Sequence, residues 1–385
     1  MSATRAERMA GVERLVVKIG SSSLTGADNA LDRRVIRRLV TEVVELRERG
    51  LEVSIVTSGA VVAGSGRLGL ESRPRSIADL QAAAAVGQNL LMQAYSSFFE
   101  RRGVPCGQVL LTAEDILYDR DRYLKLENTF RSLFSFGAVP IINENDSVAV
   151  AELRRSIGEN DMLAAYVANM IGAPLLVLLS DVDGLYASYG ADGPRGGVLR
   201  EVEHGDRQLD HVVGRSTNEF GRGGMETKLR AANLLTACGE MALIANARKH
   251  RLRDILSGKR VGTLFLPSRK RVGRRKRWIA FASPCKGSLT VDDGAVRAIT
   301  DQGKSLLPAG VVQCDGAFKA GDMVLVKDAA STELGRGLSR YASEEMAQIL
   351  GKSSPAVEKT LGRPAREVIH RDDLVLIDGP LVPGH

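Results

Sequence analysis

The chain has 385 residues, of which 44% are hydrophobic and 26% are charged, a composition that favours a folded globular protein over a disordered one. Its apolar stretches are far shorter than the about 20 residues of a membrane-spanning helix, and its N-terminal segment has no apolar signal-peptide core. The four cysteines are widely scattered without a CxxC pair. We therefore predict a cytoplasmic protein with buried thiols, no membrane association, and neither a disulfide framework nor a cysteine metal site.

The net charge of +7 is concentrated in one segment. Arg248–Trp278 contains 13 Lys or Arg residues and a single acid, Asp254, so this segment carries +12 and the rest of the chain −5. Two interpretations are open for its densest part, 268–277. A solvated linker between domains is favoured, and contact with nucleic acid or another polyanion is the alternative.

The first 265 residues alternate between short apolar runs, typical of strands, and longer segments with helical periodicity. The predicted strands are Arg14–Ile19, Glu52–Thr57, Gln108–Leu111, Val139–Asn143, Leu175–Ser180 and Ala242–Ala245. The predicted helices are one between the N-cap Asp32 and the stop at Gly50, followed by Arg75–Arg101, Arg122–Phe136, Asp161–Ile171 and Met225–Cys238. This order predicts a mostly parallel sheet with helices on both faces, a three-layer α/β/α sandwich.

The pattern of the sequence changes after the basic segment. Short strands (Trp278–Ser283, Ser288–Val291, Met323–Lys327, Leu334–Ser339) and two helices (Asp293–Gln302, Ser343–Ile349) predict a small β-rich domain. The expected organisation is a tail at 1–13, an α/β domain at 14–266, a basic linker at 267–277, a β-rich domain at 278–360 and a C-terminal segment at 361–385.

Two lysines beside glycines point to a phosphate site. Lys18 lies where the first strand gives way to Gly-Ser-Ser-Ser, and Lys228 closes the glycine-rich segment 221–228 where a helix begins. Backbone amides at a helix start and a lysine are the groups that bind phosphate. Ligands of parallel sheets gather beyond the carboxyl ends of the strands, where Ser58, Asn143 and Ser180 also fall.

Each of two glycine motifs has a structural and a ligand-binding interpretation when it is considered by itself. Gly64–Gly69 matches GxGxxG, but it begins well beyond the strand end, so glycines that let helices pack closely are a better interpretation than a nicotinamide site. Gly221–Lys228 lacks the Gly-Lys-Ser/Thr ending of a Walker A loop. By itself this segment is equally consistent with an ordinary loop and with a phosphate site.

Four further motifs contain polar residues. Asp181–Gly184 resembles the start of a calcium loop, but its glycine and twelfth position do not fit one. Asn143–Asp146 and Gly158–Asp161 are either capped turns or carboxylates and amides brought to the sheet edge beside the lysines. Thr57–Ala60 has the features of an anion site at a helix start. The five histidines show no metal-ligand spacing, so metallohydrolase chemistry has little support.

These segments together resemble the amino-acid kinase superfamily over residues 14–266, and within it the glutamate 5-kinase family. The resemblance is carried by 16–21 (VVKIGS), 56–60 (VTSGA), 140–146 (PIINEND), 158–161 (GEND), 223–228 (GGMETK) and 261–265 (VGTLF). Residues from about 278 to 355 resemble a PUA domain through 289–295, 305–310 and 321–324. The family pairs these two domains in this order.

The resemblance implies ATP-dependent phosphorylation of the side-chain carboxylate of L-glutamate, with Mg²⁺ as cofactor. Lys18 and Lys228 would contact the ATP phosphates, and Asp161 would hold both lysines. The implied glutamate-binding residues are Ser58, Asp146 and Asn160. The implied nucleotide-site residues are Lys18, Ser180, Asp181, Arg222, Gly223, Gly224, Met225, Glu226, Thr227 and Lys228. Arg222 and Glu159 depart from the residues usual in the family, and 245–247 lacks an expected glycine.

Two alternatives to this function stay open. A sister kinase acting on another amino acid, carbamate or a nucleoside monophosphate would share the fold and the lysines. An RNA-binding protein would use the PUA-like domain and the basic segment, although this domain has few aromatic residues for base stacking. The family resemblance further implies a homo-oligomer inhibited by proline at the glutamate site.

Overall fold

The computed structural model describes residues 3–26, 30–70, 72, 74–112, 115–116, 120–148, 160–190, 193–206, 224–268 and 285–376. The chain divides into two compact units, Met1–Arg271 and Val272–His385. Each unit has its own sheet and hydrophobic core.

The first unit alternates strands and helices along the chain. Its strands are β1 (Arg14–Ile19), β2 (Glu52–Val56), β3 (Cys106–Leu111), β4 (Val139–Glu144), β5 (Leu175–Ser180), β6 (Tyr186–Gly190), β7 (Gly193–Val198), β8 (Glu201–Val202), β9 (Met241–Asn246) and β10 (Thr263–Phe265). Its helices are α1 (Arg5–Ala10), α2 (Ser21–Leu24), α3 (Arg33–Glu48), α4 (Ala60–Arg67), α5 (Ile77–Glu100), α6 (Arg120–Ser135), α7 (Asn160–Ile171), α8 (Gly224–Ala237) and α9 (Leu252–Leu256).

Eight of these strands form one sheet in the order β3-β4-β2-β1-β5-β9-β10-β8. All neighbouring pairs are parallel except β9 and β10, which are antiparallel. The mostly parallel α/β fold predicted from the sequence is therefore confirmed. The strand order reverses between β1 and β5, because the chain first proceeds from β1 toward β3 and later returns to β5. Open α/β sheets bind their ligands at such a switch point.

Residues of β1 alternate between the two faces of the sheet, as the period of two requires. Leu15 and Val17 join the core formed with α3 and α5. Lys18 shares the opposite face with Val16, and α7 packs against β1 on that side while α8 packs against α7. The register of a single strand thus directs the Lys18 side chain toward the two helices that follow the glycine and carboxylate motifs.

Two sequence interpretations about helices are confirmed. Asp32 caps α3 by accepting hydrogen bonds from the backbone amides of Arg34 and Val35 at 3.0 and 3.4 Å. Gly50, at φ +88°, follows the helix in a conformation that other residues rarely adopt. The GxGxxG segment serves close helix packing, since a Cβ at Gly64 in α4 would lie only 1.7 Å from the carbonyl oxygen of Ala83 in α5.

The second unit is β-rich, as predicted. Its strands are β11 (Gly287–Val291), β12 (Val311–Gly316), β13 (Met323–Lys327), β14 (Glu333–Leu338) and β15 (Leu374–Leu376), in the sheet order β12-β11-β13-β14-β15. Its helices are α10 (Asp293–Thr300), α11 (Ser343–Ile349) and α12 (Ser354–Leu361). The predicted strand Trp278–Ser283 and residues 269–277 of the basic linker lie outside the described residues.

The cysteines required one correction. All four are free, but only Cys238 is buried, whereas Cys106, Cys285 and Cys314 are partly exposed. Cys106 and Cys314 lie on β3 and β12, which are edge strands of their sheets and so are covered less completely than central strands. Among the described residues, no helix is both long and apolar enough to cross a membrane.

Candidate active site

A buried carboxylate joins the two lysines singled out in the sequence. Lys18 Nζ lies 2.5 Å from Asp161 Oδ1, and Lys228 Nζ lies 3.1 Å from Asp161 Oδ2. The residues come from the end of β1 and from the first turns of α7 and α8. One carboxylate therefore fixes two ammonium groups that are 210 positions apart in the chain.

The electrostatics of this triad favour an anionic ligand. Asp161 is fully buried, and Lys18 and Lys228 are only 4% and 7% exposed. Burial by itself raises the pKa of Asp161, but the charges of the two lysines outweigh it and hold that pKa below its usual value. Two ammonium groups and one carboxylate leave one net positive charge. A phosphate oxygen placed between the lysines would complement that charge.

Local structure at the start of α8 holds Lys228 in place. Its ammonium group donates a second hydrogen bond to the carbonyl oxygen of Gly224 at 2.8 Å. Thr227, its neighbour, donates its hydroxyl hydrogen to Asp161 Oδ2 at 3.0 Å. A Cβ at Gly20 or Gly224 would lie 3.6 or 3.7 Å from an ammonium nitrogen, so glycine at these two positions places no side chain against the lysines.

A second cluster, built from amides, adjoins the triad. The amide nitrogen of Asn160 donates to Ser58 Oγ at 2.7 Å and to Asn143 Oδ1 at 3.0 Å. Asn143 in turn donates to Gln88 Oε1 at 2.8 Å. Since Asn160 directly precedes Asp161 at the start of α7, the amide cluster and the lysine triad are connected by a single peptide bond.

The loop that carries Ser58 is itself anchored in the core. Thr57 Oγ1 lies 3.0 Å from the hydroxyl oxygen of the fully buried Tyr95, and burial raises the pKa of that tyrosine. Gly59, the N-cap of α4, has φ +100°, a conformation that a residue with a side chain rarely adopts. The hydroxyl of Ser58 is therefore presented from a rigid turn rather than from a free loop.

A third polar group occupies the carboxyl ends of β5 and β9. Ser180 donates to Asp181 Oδ1 at 2.9 Å. Asn246 donates to the backbone oxygen of Asp181 at 2.7 Å and to Asp183 Oδ1 at 2.9 Å, and Lys249 forms an ion pair with Asp183 at 2.7 Å. The segment with calcium-loop resemblance is thus tied to the neighbouring strand by an amide and a lysine.

The remaining predicted site residues fall into two groups. Asp146 lies half-buried in the turn after β4 and has an interaction partner, and Gly224, Met225, Glu226, Thr227 and Lys228 form the first turns of α8. Arg222, Gly223 and Glu159 lie outside the described residues.

Sequence reasoning gives no individual role to three residues that the structure places in these clusters. Asn143 is predicted only as a strand end and as part of the Asn143–Asp146 motif at the sheet edge, and Asn246 only as part of a segment without an expected glycine. Gln88 was not recognised at all, since it lies inside a helix without any motif. The only feature of the sequence that sets Gln88 apart is that a polar residue directly follows the apolar run Ala82–Gly87.

The three clusters suit different parts of a reaction. The triad can hold a phosphoryl group between two cations, while the amide cluster offers neutral donors and acceptors for a small polar molecule. Within the described part of the chain, no three His, Cys, Asp or Glu side chains converge on a possible metal site. Both oxygens of Asp161 are engaged by lysines.

Comparison with known proteins gives two matching family models. The amino acid kinase family matches residues 13–246, and the PUA domain matches residues 287–361. The glutamate 5-kinase of Pseudomonas paraeruginosa is 45% identical over 373 residues, which cover 96% of this chain and 100% of that protein. The glutamate 5-kinase of Pseudomonas entomophila is 44% identical over 372 residues, covering 96% and 99%. A solved carbamate kinase from Giardia lamblia has 17% identity and a TM-score of 0.46, covering 67% of this chain and 100% of that one.

Proposed function

This chain belongs to the amino acid kinase family, among the glutamate 5-kinases, and from that premise we propose that it transfers the γ-phosphoryl group of ATP to the side-chain carboxylate of L-glutamate. The products are L-glutamyl 5-phosphate and ADP, and the enzyme named for this reaction begins proline biosynthesis. The observation that carries the proposal is the buried pairing of Lys18 and Lys228 on Asp161, one peptide bond away from the amide cluster.

The proposed chemistry needs no general base. The acceptor carboxylate is already an anion at neutral pH and can attack phosphorus directly. Phosphoryl transfer passes through a loose transition state, so catalysis consists mainly of positioning and of charge stabilisation. We assign that stabilisation to Lys18 and Lys228, with Asp161 as the group that sets the distance between them.

The amide cluster and the polar group at the ends of β5 and β9 support an assignment of the two substrate sites. We propose that glutamate binds through Ser58, Asp146 and Asn160, whose hydroxyl, carboxylate and amide complement an amino group and a carboxylate. The nucleotide lies against the remaining set, which consists of Ser180, Asp181 and Arg222–Lys228. In this arrangement the glutamate side chain points along α7 from Asn160 toward Asp161, and so toward the lysines.

Mg²⁺ enters this proposal with the nucleotide. Among the described residues no trio of side chains forms a metal site, and Asp161 is engaged by the lysines, so we propose that the nucleotide phosphates would supply most of the ligands of Mg²⁺. Mg²⁺ in kinases is held largely by substrate phosphates and water, where it offsets phosphate charge.

Trapping the product with hydroxylamine tests the proposed reaction. An acyl phosphate reacts with hydroxylamine to form a hydroxamate and inorganic phosphate, and the hydroxamate is measured as its coloured iron complex. We expect hydroxamate to form only when the chain, ATP, Mg²⁺ and glutamate are all present. ADP release without hydroxamate would show that a carboxylate is not the acceptor and would contradict the proposal.

Further features of the family remain part of the proposal. We propose a cytoplasmic homo-oligomer in which proline competes for the glutamate site. Glutamate KM measured at increasing proline concentrations should rise without a change in kcat, and a fall in kcat alone would contradict competition.

RNA binding by the second unit is a separate proposal, favoured only by the match to the PUA domain. Nucleic-acid binding through phosphates weakens steeply with salt. Retention of RNA that is insensitive to salt, or that persists after deletion of 268–385, would contradict it.

A further inference from the structure

Gln88 lies in the middle of α5, far from every sequence motif of the site, yet it is connected to the amide cluster. Its Oε1 accepts a hydrogen bond from Asn143 Nδ2 at 2.8 Å. Asn143 is itself only 2% exposed. In such a buried position the amide of Asn143 needs a partner, because leaving it unpaired costs about 1–3 kcal/mol.

An amide relay of three hydrogen bonds connects Gln88 to Ser58, and Asn160 donates in both directions along it. Gln88 accepts from Asn143, Asn143 accepts from Asn160, and Ser58 also accepts from Asn160. Every link joins two side chains, so the orientation of each amide depends on the next one. Two buried atoms of the relay residues have no hydrogen-bond partner among the described residues, namely Gln88 Nε2 and Asn160 Oδ1.

A backbone contact connects the same two regions independently. Gly87 precedes Gln88, and a Cβ at Gly87 would lie only 1.8 Å from the carbonyl oxygen of Ala60. Ala60 is the first residue of α4, two positions after Ser58. Helix α5 therefore contacts the turn of Ser58 directly through Gly87 and indirectly through the amide relay from Gln88.

We propose that Gln88 is a positioning residue for the amino-acid substrate. By accepting from Asn143 it fixes the orientation in which Asn160 donates to Asn143 and Ser58. In that orientation Asn160 Oδ1 is left to accept from a substrate ammonium group, and the hydroxyl hydrogen of Ser58 is left to donate to a substrate carboxylate. The inference rests on the proposed function, since Ser58 and Asn160 are the residues assigned to glutamate.

A purely structural role for Gln88 makes a different prediction. If Gln88 only filled space in α5, its replacement would lower stability and would affect glutamate and ATP alike or not at all. A positioning role acts on one substrate, because the relay ends at Ser58 and Asn160 and not at the lysine triad. The KM values of the two substrates therefore separate the two roles.

The test is Gln88→Met, which keeps the length of the side chain but removes the acceptor. We expect the glutamate KM to rise about 5- to 20-fold, the value of one lost buried hydrogen bond. The ATP KM should stay close to wild type. The unfolding midpoint should fall modestly, because the amide of Asn143 loses its partner, so the split between the two KM values and not the stability carries the test. Gln93→Met is the matched control, because it makes the same change on the exposed side of the same helix and should leave both KM values unchanged.

A second variant and a double-mutant cycle keep the inference testable if Gln88→Met folds poorly. Gln88→Asn keeps the amide but withdraws it by one methylene, and it should raise the glutamate KM similarly. In an Asn143→Ala background, Gln88→Met should have almost no further effect, because the relay is already broken. An unchanged glutamate KM, equal rises in both KM values, or fully additive effects with Asn143→Ala would each overturn the inference.

Wild-type turnover in the same assay separates this inference from the proposed function. Absence of glutamate-dependent turnover by the wild type contradicts the function and the inference together. Wild-type turnover combined with an unchanged glutamate KM in Gln88→Met contradicts only the role of Gln88.

Discussion

Lys228 is the residue on which the proposed chemistry depends most directly. It is 7% exposed, and it is fixed by Asp161 and by the carbonyl oxygen of Gly224. Lys228→Ala removes one of two charges aimed at the transferring phosphoryl group, so kcat should fall by roughly 10²- to 10³-fold, as for a lost oxyanion donor. Lys259→Ala, an exposed lysine paired with Asp254 at 2.5 Å, is the control. Turnover of Lys228→Ala near that of the wild type would remove Lys228 from the mechanism.

Asp161 couples the stability of the site to pH. The pKa of Asp161 is held below its usual value in the folded protein. Its contribution to the free energy of unfolding is therefore fully present above the pKa of the unfolded state, and it is lost as pH falls through the pKa of the folded state. Asp161→Asn should therefore be less stable than the wild type at neutral pH. The difference in the free energy of unfolding should shrink below about pH 4. Denaturant unfolding at a series of pH values measures it, and a difference that grows as pH falls would contradict the assignment.

Asp146 is proposed to act on binding rather than on the chemical step. It lies half-buried in the turn after β4, away from the lysine triad in the chain. Asp146→Ala should raise the glutamate KM about 10-fold or more, the value of a charge-assisted hydrogen bond, with a smaller change in kcat. Steady-state kinetics with varied glutamate and saturating ATP provide the comparison. An unchanged glutamate KM would exclude Asp146 from the substrate site.

At the scale of elements, the contact between α4 and α5 determines where the turn of Ser58 lies. A Cβ at Gly87 would overlap the carbonyl oxygen of Ala60 at 1.8 Å and approach the backbone nitrogen of Gly64 at 2.5 Å. Gly87→Ala should lower the free energy of unfolding by about 1–3 kcal/mol, because relief requires the helices to separate. Gly11→Ala, where the nearest atom to a Cβ is 4.0 Å away, is the control. Equal thermal midpoints for both variants would show that the helices are not in tight contact.

The elements that carry a clear periodicity could be predicted from the sequence. Helix α3 has its cap at Asp32, its stop at Gly50 and a regular apolar stripe between them, and strand β5 is a continuous apolar run. The β6–β7 pair could not be predicted in this way. Strand β7 is Gly-Pro-Arg-Gly-Gly-Val, a composition typical of turns, and it is a strand only because it pairs with β6.

The residues of the site likewise differ in whether they could be predicted from the sequence. Lys18, Asp161 and Lys228 belong to short motifs whose residue types alone indicate phosphate binding. They could be expected to meet because a parallel sheet brings the ends of its strands together. The role of Gln88 depends on a contact with Asn143, 55 positions away in the chain. Such a contact depends on how α5 is placed in the folded unit, and local periodicity carries no information about it.

At the scale of the whole molecule, the chain comprises two compact units with separate sheets. The residues that carry the proposed chemistry, from Lys18 to Lys228, all belong to the first unit. The second unit contributes none of the described side chains of the triad or of the amide cluster. The described side chains to which the phosphoryl transfer is assigned therefore all come from the first unit.

The central claim is that one site holds a phosphoryl group between two lysines and offers it to glutamate. Release of ADP with glutamate, aspartate, acetylglutamate, carbamate and a nucleoside monophosphate as acceptors tests that claim most directly. We predict the highest kcat/KM for glutamate, with aspartate, one methylene shorter, lower by about 10- to 200-fold. Equal ADP release with all five acceptors, or a preference for any other one, would contradict the account.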